Sequence, residues 1–294
     1  MLVESMRTLI IGAYGYGNLG DEAILDGLLE IFGRENTTVM SYDPKETQTL
    51  HNVRAISQGD LSEDYDRIII GGGALLGNAH ERYFQYGLHF KERGSRLILY
   101  SLGLWGYNFK TGQWEGFTET IKHAIMKADE ISVRTREEQF FLQKLFPNQK
   151  IKFKPDPAFI IKLEKVRWLD VPEGAVGISL SFGIKSSVIG DLRRELKSIN
   201  DEQIIPVISV LHKSSRMERD DEITRKWFKE LGISWKPEYV QFWHPRQLKW
   251  IISQLNLLYS ARKHPIIFAL STGVKSISLN PYDFIVREYR IPVL

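Results

Sequence analysis

Thr-Leu-Ile-Ile-Gly-Ala-Tyr-Gly-Tyr-Gly-Asn-Leu-Gly-Asp-Glu-Ala-Ile-Leu, residues 8–25, is the stretch whose reading decides the fold. Its first four residues form a short run, three of them β-branched, that stops at Gly12, the pattern of a short buried strand. From Asp21 to Phe32 the apolar residues Ile24, Leu25, Leu28, Leu29 and Phe32 fall on one face of a helix. The order is therefore strand, glycine-rich loop, helix.

Working outward, the same order recurs. Thr37 to Ser41 runs into Asp43-Pro44, Arg67 to Ile70 into Gly71-Gly72-Gly73, and Arg96 to Ser101 into Gly103. Strands that alternate with helical stretches predict a largely parallel sheet, and ligands of such sheets bind beyond the carboxyl ends of the strands, where each of these glycine clusters falls. Glu130 to Arg134 reads as a further strand, which places Arg134 at the same edge, and Thr135 with Glu138 forms a capping-box pattern opening a helix through Phe146. Periodicity lapses between Pro155 and Gly174, the expected linker, giving domains 1–160 and 161–294. Beyond it, Ala175 to Leu180 and Gln203 to Leu211 read as strands and about Asp220–Leu231 and Pro245–Leu258 as helices, a second and shorter α/β domain.

Composition narrows the function. The 294 residues include 39 Lys+Arg and 36 Asp+Glu, a net charge of +3 that argues against a nucleic-acid partner. The absence of cysteine excludes disulfides, a thiolate nucleophile and sulfur-built zinc sites, and no other metal constellation is visible. Glu4 and Arg7 interrupt the N-terminus before its apolar run, unlike a secretory leader, so a cytoplasmic protein is expected. No uncharged apolar run approaches the roughly 20 residues of a membrane span, so any membrane contact is expected to be peripheral.

The first loop admits more than one chemistry. Gly15-x-Gly17-x-x-Gly20 with Asp43 downstream satisfies the text of a dinucleotide fingerprint. Asp21 and Glu22 at the helix start, however, would repel the pyrophosphate that such a helix N-terminus must attract. Alternatively the glycines merely turn the chain and Asp21 caps the helix. The third reading is that Asn18, Asp21 and Glu22 bind sugar hydroxyls, with a carboxylate as general base. Gly71, Gly72 and Gly73 could let backbone approach a ligand, or form a turn without one.

Residues 12–25 together resemble the opening motif of the polysaccharide pyruvyl transferases. The similarity continues through Gly71-Gly-Gly-Ala-Leu-Leu76, Ile131-Ser-Val-Arg134, Asp156-Pro-Ala-Phe159, Gly177-Ile-Ser-Leu180 and Arg262-Lys-His264 with Ile267-Phe-Ala269. The resemblance implies two Rossmann-like domains facing across a cleft, as in the glycosyltransferase B architecture, with phosphoenolpyruvate as donor. It implies Arg262 as a donor-binding residue and His264 as interacting with the donor or giving it a proton; for that reaction Arg134 is expected to help hold the anionic donor and Asp21 or Glu22 to act as the base. Gly15, Gly17, Asn18, Gly71, Gly72, Gly73 and His212 are then expected to bind the acceptor or line the cleft. Lys263 stands where the family has leucine, and Tyr282-Asp283 lacks the lysine that usually follows.

The expected reaction builds a pyruvate ketal on a sugar or lipid-linked saccharide of the cell envelope, with phosphoenolpyruvate as co-substrate and no cofactor. The alternatives are a glycosyltransferase using a nucleotide-sugar and a non-catalytic sugar-binding member of the fold. The oligomeric state is not legible in the sequence.

Overall fold

In a computed structural model of the chain, residues 6–211, 219–241 and 243–294 are described. The chain divides into two compact units, one formed by residues 1–16 and 24–157 and the other by residues 17–23 and 158–294.

The first unit is built on β1 (Thr8–Ile11), α1 (Leu19–Phe32), β2 (Thr37–Ser41), α2 (Pro44–His51), β3 (Arg54–Ser57), β4 (Arg67–Gly71), α3 (Glu81–Glu92) and β5 (Arg96–Leu102). It continues with a small ribbon of β6 (Tyr107–Asn108) and β7 (Gln113–Trp114), then α4 (Glu119–Lys127), β8 (Glu130–Val133), α5 (Arg136–Leu145) and β9 (Ile151–Phe153). Seven strands form one sheet in the order β3-β2-β1-β4-β5-β8-β9, and every pair is parallel. Leu9 to Ile11 and Ile68 to Ile70 are fully buried, as strands covered on both faces must be.

The glycines after β4 have a packing explanation. A methyl group on Gly72 would overlap the Ile24 side chain, and one on Gly71 would overlap Leu28, so both residues let α1 settle onto the sheet. Gly72 and Gly73 also take positive φ values of 68° and 75°. Gly15, at φ 79°, would place a methyl group against Ser41 Oγ and the Asp43 backbone. Close approach thus occurs to the protein's own chain.

The second unit contains β10 (Val176–Ser179), α6 (Ser186–Leu196), β11 (Ile204–Pro206), α7 (Asp220–Leu231), α8 (Pro245–Ser253), β12 (Leu257–Ser260), α9 (Lys263–Thr272), β13 (Lys275–Ser278) and α10 (Phe284–Glu288). Its parallel sheet runs β11-β10-β12-β13. Val176, Ile178, Ile189, Leu192 and Phe228 join strands and helices in one core.

The helix expected over Pro245–Leu258 ends at Ser253, and Leu257–Ser260 is instead a strand in parallel register with β10 and β13. A short apolar run carries the same text in either state, and here tertiary pairing chooses. His244 caps α8 through a capping box with Gln247, and Trp243 is buried.

Candidate active site

The glycine-rich loop supplies the first part of the site. Asn18, not Asp21, caps α1: its Oδ1 accepts from Gly20 N at 3.0 Å and its carbonyl from Glu22 N at 3.0 Å. The helix therefore starts two residues earlier than the sequence implied, and Asp21 lies in its first turn. Asp21 Oδ2 accepts from Asn18 Nδ2 at 2.7 Å and remains partly accessible, whereas Glu22 is 1% exposed.

Residues 17–23 cluster with the second unit. Leu19 N donates to Ser209 O, Leu211 N donates to Gly17 O, both at 2.8 Å, and Asn18 bridges Val210. The loop thereby extends the chain that leaves β11. A methyl group on Gly20 would overlap the His264 ring at Nδ1, so glycine is required where α1 starts beside the imidazole.

His264 lies in the first turn of α9, directly after Arg262 and Lys263. Ser260 fixes the entry, its hydroxyl donating to Arg262 O at 2.7 Å while accepting from Arg262 N at 3.0 Å. The Arg262 guanidinium is gripped by Asp220, with Nε 3.0 and 3.1 Å from the two carboxylate oxygens and Nη2 2.5 Å from Oδ1. Asp220 is fully buried, receives Ser209 Oγ at 3.4 Å, and its backbone N–H donates to Val210 O at 3.1 Å. Burial pushes its carboxyl above the usual aspartate range, opposed by the charge and hydrogen bonds of Arg262.

The result is one connected constellation in the second unit: Asn18, Asp21, Ser209, Asp220, Arg262 and His264. No side chain caps α9, and no acidic residue stands in its first turn. A helix start of this kind beside a guanidinium is electrostatically suited to an anion. Arg262 keeps 29% of its side chain exposed, so its outer edge can meet one. Asp220 and Ser209 escaped the sequence reading, in which Asp220 was only the first residue of a helix.

Other expected site residues have different surroundings. Arg134 is 1% exposed and pairs with the buried Asp156 at 3.2 Å, while Gly103 leaves room for its guanidinium. That environment makes Arg134 a structural ion pair of the first unit rather than a side chain open to donor. Gly15, Gly71, Gly72 and Gly73 are also in the first unit, packed as described. His212 lies outside the described residues. Asp43, the acid that a dinucleotide site would aim at ribose, instead caps α2 by accepting from Glu46 N at 3.0 Å. Lys263 pairs with Asp283 at 3.0 Å, and Asp283 also caps α10.

Among the described residues, no group of three or more His, Cys, Asp and Glu could hold a metal ion. Nor is any described helix long and apolar enough to cross a membrane.

Comparison with solved structures identifies the architecture. A putative UDP-N-acetylglucosamine 2-epimerase from Listeria monocytogenes is 10% identical with a TM-score of 0.63, covering 97% of this chain and 82% of its own. S. aureus MnaA, solved with UDP, is 11% identical with a TM-score of 0.63, covering 96% and 81%. The UDP-GlcNAc 2-epimerase of Methanocaldococcus jannaschii is 12% identical with a TM-score of 0.60, covering 98% and 88%. At such identities the likeness concerns the fold, two Rossmann-like domains of the glycosyltransferase B type. No curated protein matches the sequence. The family model described as polysaccharide pyruvyl transferase matches residues 18–282, which include every residue of the second-unit constellation. Nearly the whole chain is thus accounted for by one family of transferases, and the protein belongs to the polysaccharide pyruvyl transferases.

Proposed function

We propose that the protein transfers pyruvate from phosphoenolpyruvate to two hydroxyls of a saccharide, forming a ketal and releasing phosphate. The observation that carries this reading is the pairing of His264 with an Arg262 clamped by Asp220 at the uncapped start of α9. A fixed guanidinium at the start of a helix suits the phosphate or carboxylate of the donor. One sugar hydroxyl adds to the donor's C2 and gives its proton to Asp21, while His264 delivers a proton to the C3 methylene, which becomes methyl. The second hydroxyl then replaces phosphate at C2, its proton returning to His264 while the departing phosphate takes up the proton held by Asp21. Asp21 suits the base better than Glu22 because it is accessible, and Asn18 holds its carboxylate in place. The reaction needs neither metal nor cofactor in this scheme.

The test incubates the chain with phosphoenolpyruvate and a panel of saccharides, following phosphate release and product mass. Ketal formation that is lost in His264→Ala, with donor binding retained, is the expected result. Turnover of UDP-GlcNAc without phosphoenolpyruvate would replace this reading by nucleotide-sugar chemistry.

A further inference from the structure

In the first unit, a second group of side chains lies beyond the carboxyl ends of four adjacent strands. Tyr16 follows β1, Tyr42 follows β2, Gln58 follows β3, and Arg82 and Tyr83 belong to α3 after β4. The Tyr16 and Tyr42 rings stack with centroids 4.4 Å apart and planes 17° from parallel, and Tyr42 is 53% exposed. The Tyr16 hydroxyl donates to Gln58 Oε1 at 3.0 Å and accepts from Arg82 Nη2 at 3.0 Å. Gln58 Nε2 donates to the Tyr83 hydroxyl at 3.4 Å, and Arg82 lies over the Tyr83 ring.

These rings are held, not merely exposed. Tyr42 N donates to Tyr14 O at 3.0 Å, tying the two loops together. Glycine at position 15 permits that approach, since any side chain would strike Ser41 and Asp43. Apolar burial does not account for a fixed tyrosine ring kept half in water, because its stabilising area is left uncovered. His80 stacks on Tyr83 and stays neutral, burial and then the charge of Arg82 driving it down to about 4. His80 therefore adds no charge beside Arg82 across the neutral range.

We propose that Tyr42, backed by Tyr16 and flanked by Arg82 and Gln58, is a binding subsite for a pyranose ring of the acceptor saccharide. The polarised axial C–H groups of a pyranose fit the negative face of an exposed aromatic ring. Its hydroxyls, each both donor and acceptor, can exchange hydrogen bonds with a network already made of phenol, amide and guanidinium groups. The inference rests on the proposed transfer reaction for the class of its ligand.

Saturation-transfer NMR with methyl glycosides of galactose, glucose and N-acetylglucosamine, with and without millimolar phosphoenolpyruvate, tests it. At least one glycoside should show saturation of its ring protons, retained in Tyr42→Phe and weakened roughly tenfold in Tyr42→Ala. Donor-induced thermal stabilisation should be the same in all three proteins, which separates this subsite from the donor reading. A glycoside bound equally by Tyr42→Ala would overturn the proposal. So would the absence of ring-proton saturation with every glycoside, or uridine binding in their place with the same dependence on Tyr42.

Discussion

Arg262 and Arg134 are both arginines paired to a buried aspartate, yet their side-chain exposures are 29% and 2%, so the proposed reaction gives only the first an edge to offer the donor. Replacing Arg262 by lysine should raise the dissociation constant for phosphoenolpyruvate about tenfold or more in calorimetry, because an ammonium cannot keep Asp220 and grip a second anion with the same fork. Replacing Arg134 by methionine leaves Asp156 charged and buried, and should cost about 3–5 kcal/mol in urea unfolding while the folded fraction binds donor as before. Gly20→Ala divides the same way. Alanine favours a helix, but its methyl must displace the His264 ring, so turnover should fall about a hundredfold without loss of donor affinity. Arg262, His264 and Asp21 could be singled out as candidates because they sit in motifs. Asp220 was not, since its partner lies 42 residues away and only the fold joins them. The burial of Arg134 was hidden for the same reason: its strand-end position could be read, but not that Asp156 and Gly103 would enclose it.

Among the elements, α8 carries an unusual load. Lys249 is 3% exposed and donates to the carbonyls of Phe159 and Ile161, both at 2.8 Å, so one ammonium fastens the segment that enters the second unit. Burial pulls its pKa down to about 8. Between that value and the ordinary lysine range, the unfolded chain holds a proton the folded chain has released. Stability from this residue should therefore rise with pH, by up to about 3 kcal/mol between pH 8 and 10.5, relative to Lys249→Met in paired urea titrations. Most elements of the first unit were legible because their apolar runs end at glycine or proline. Leu257–Ser260 was not, because four apolar and small residues after a helix continue its periodicity until a neighbouring strand claims them.

For the whole molecule, donor binding should appear as thermal stabilisation of the native chain, about 2.7 kcal/mol at a hundredfold excess over the dissociation constant. Scanning calorimetry with phosphoenolpyruvate and with UDP-GlcNAc measures it. Stabilisation by the nucleotide-sugar alone would contradict the proposed reaction. The alternation of strands and helices made two α/β units legible, with a change of unit near the Pro155–Gly174 stretch. Nothing in the text signalled that residues 17–23 belong with the later unit, because Leu19 and Gly17 find their partners at Ser209 and Leu211 only in three dimensions.

That lodged segment has a consequence for synthesis. At a ribosomal pace of 5–20 residues per second, Gly17 to Ala23 emerge on the order of 10–40 s before the chain around Ser209 that will receive them. The early unit can acquire its sheet while this short piece waits. Closure of the late unit then reaches back across the whole of residues 24–157, so no contiguous stretch of the gene encodes it. An exchange of gene segments after the codon for Pro157 would move His264 and leave behind the glycine against which its ring rests.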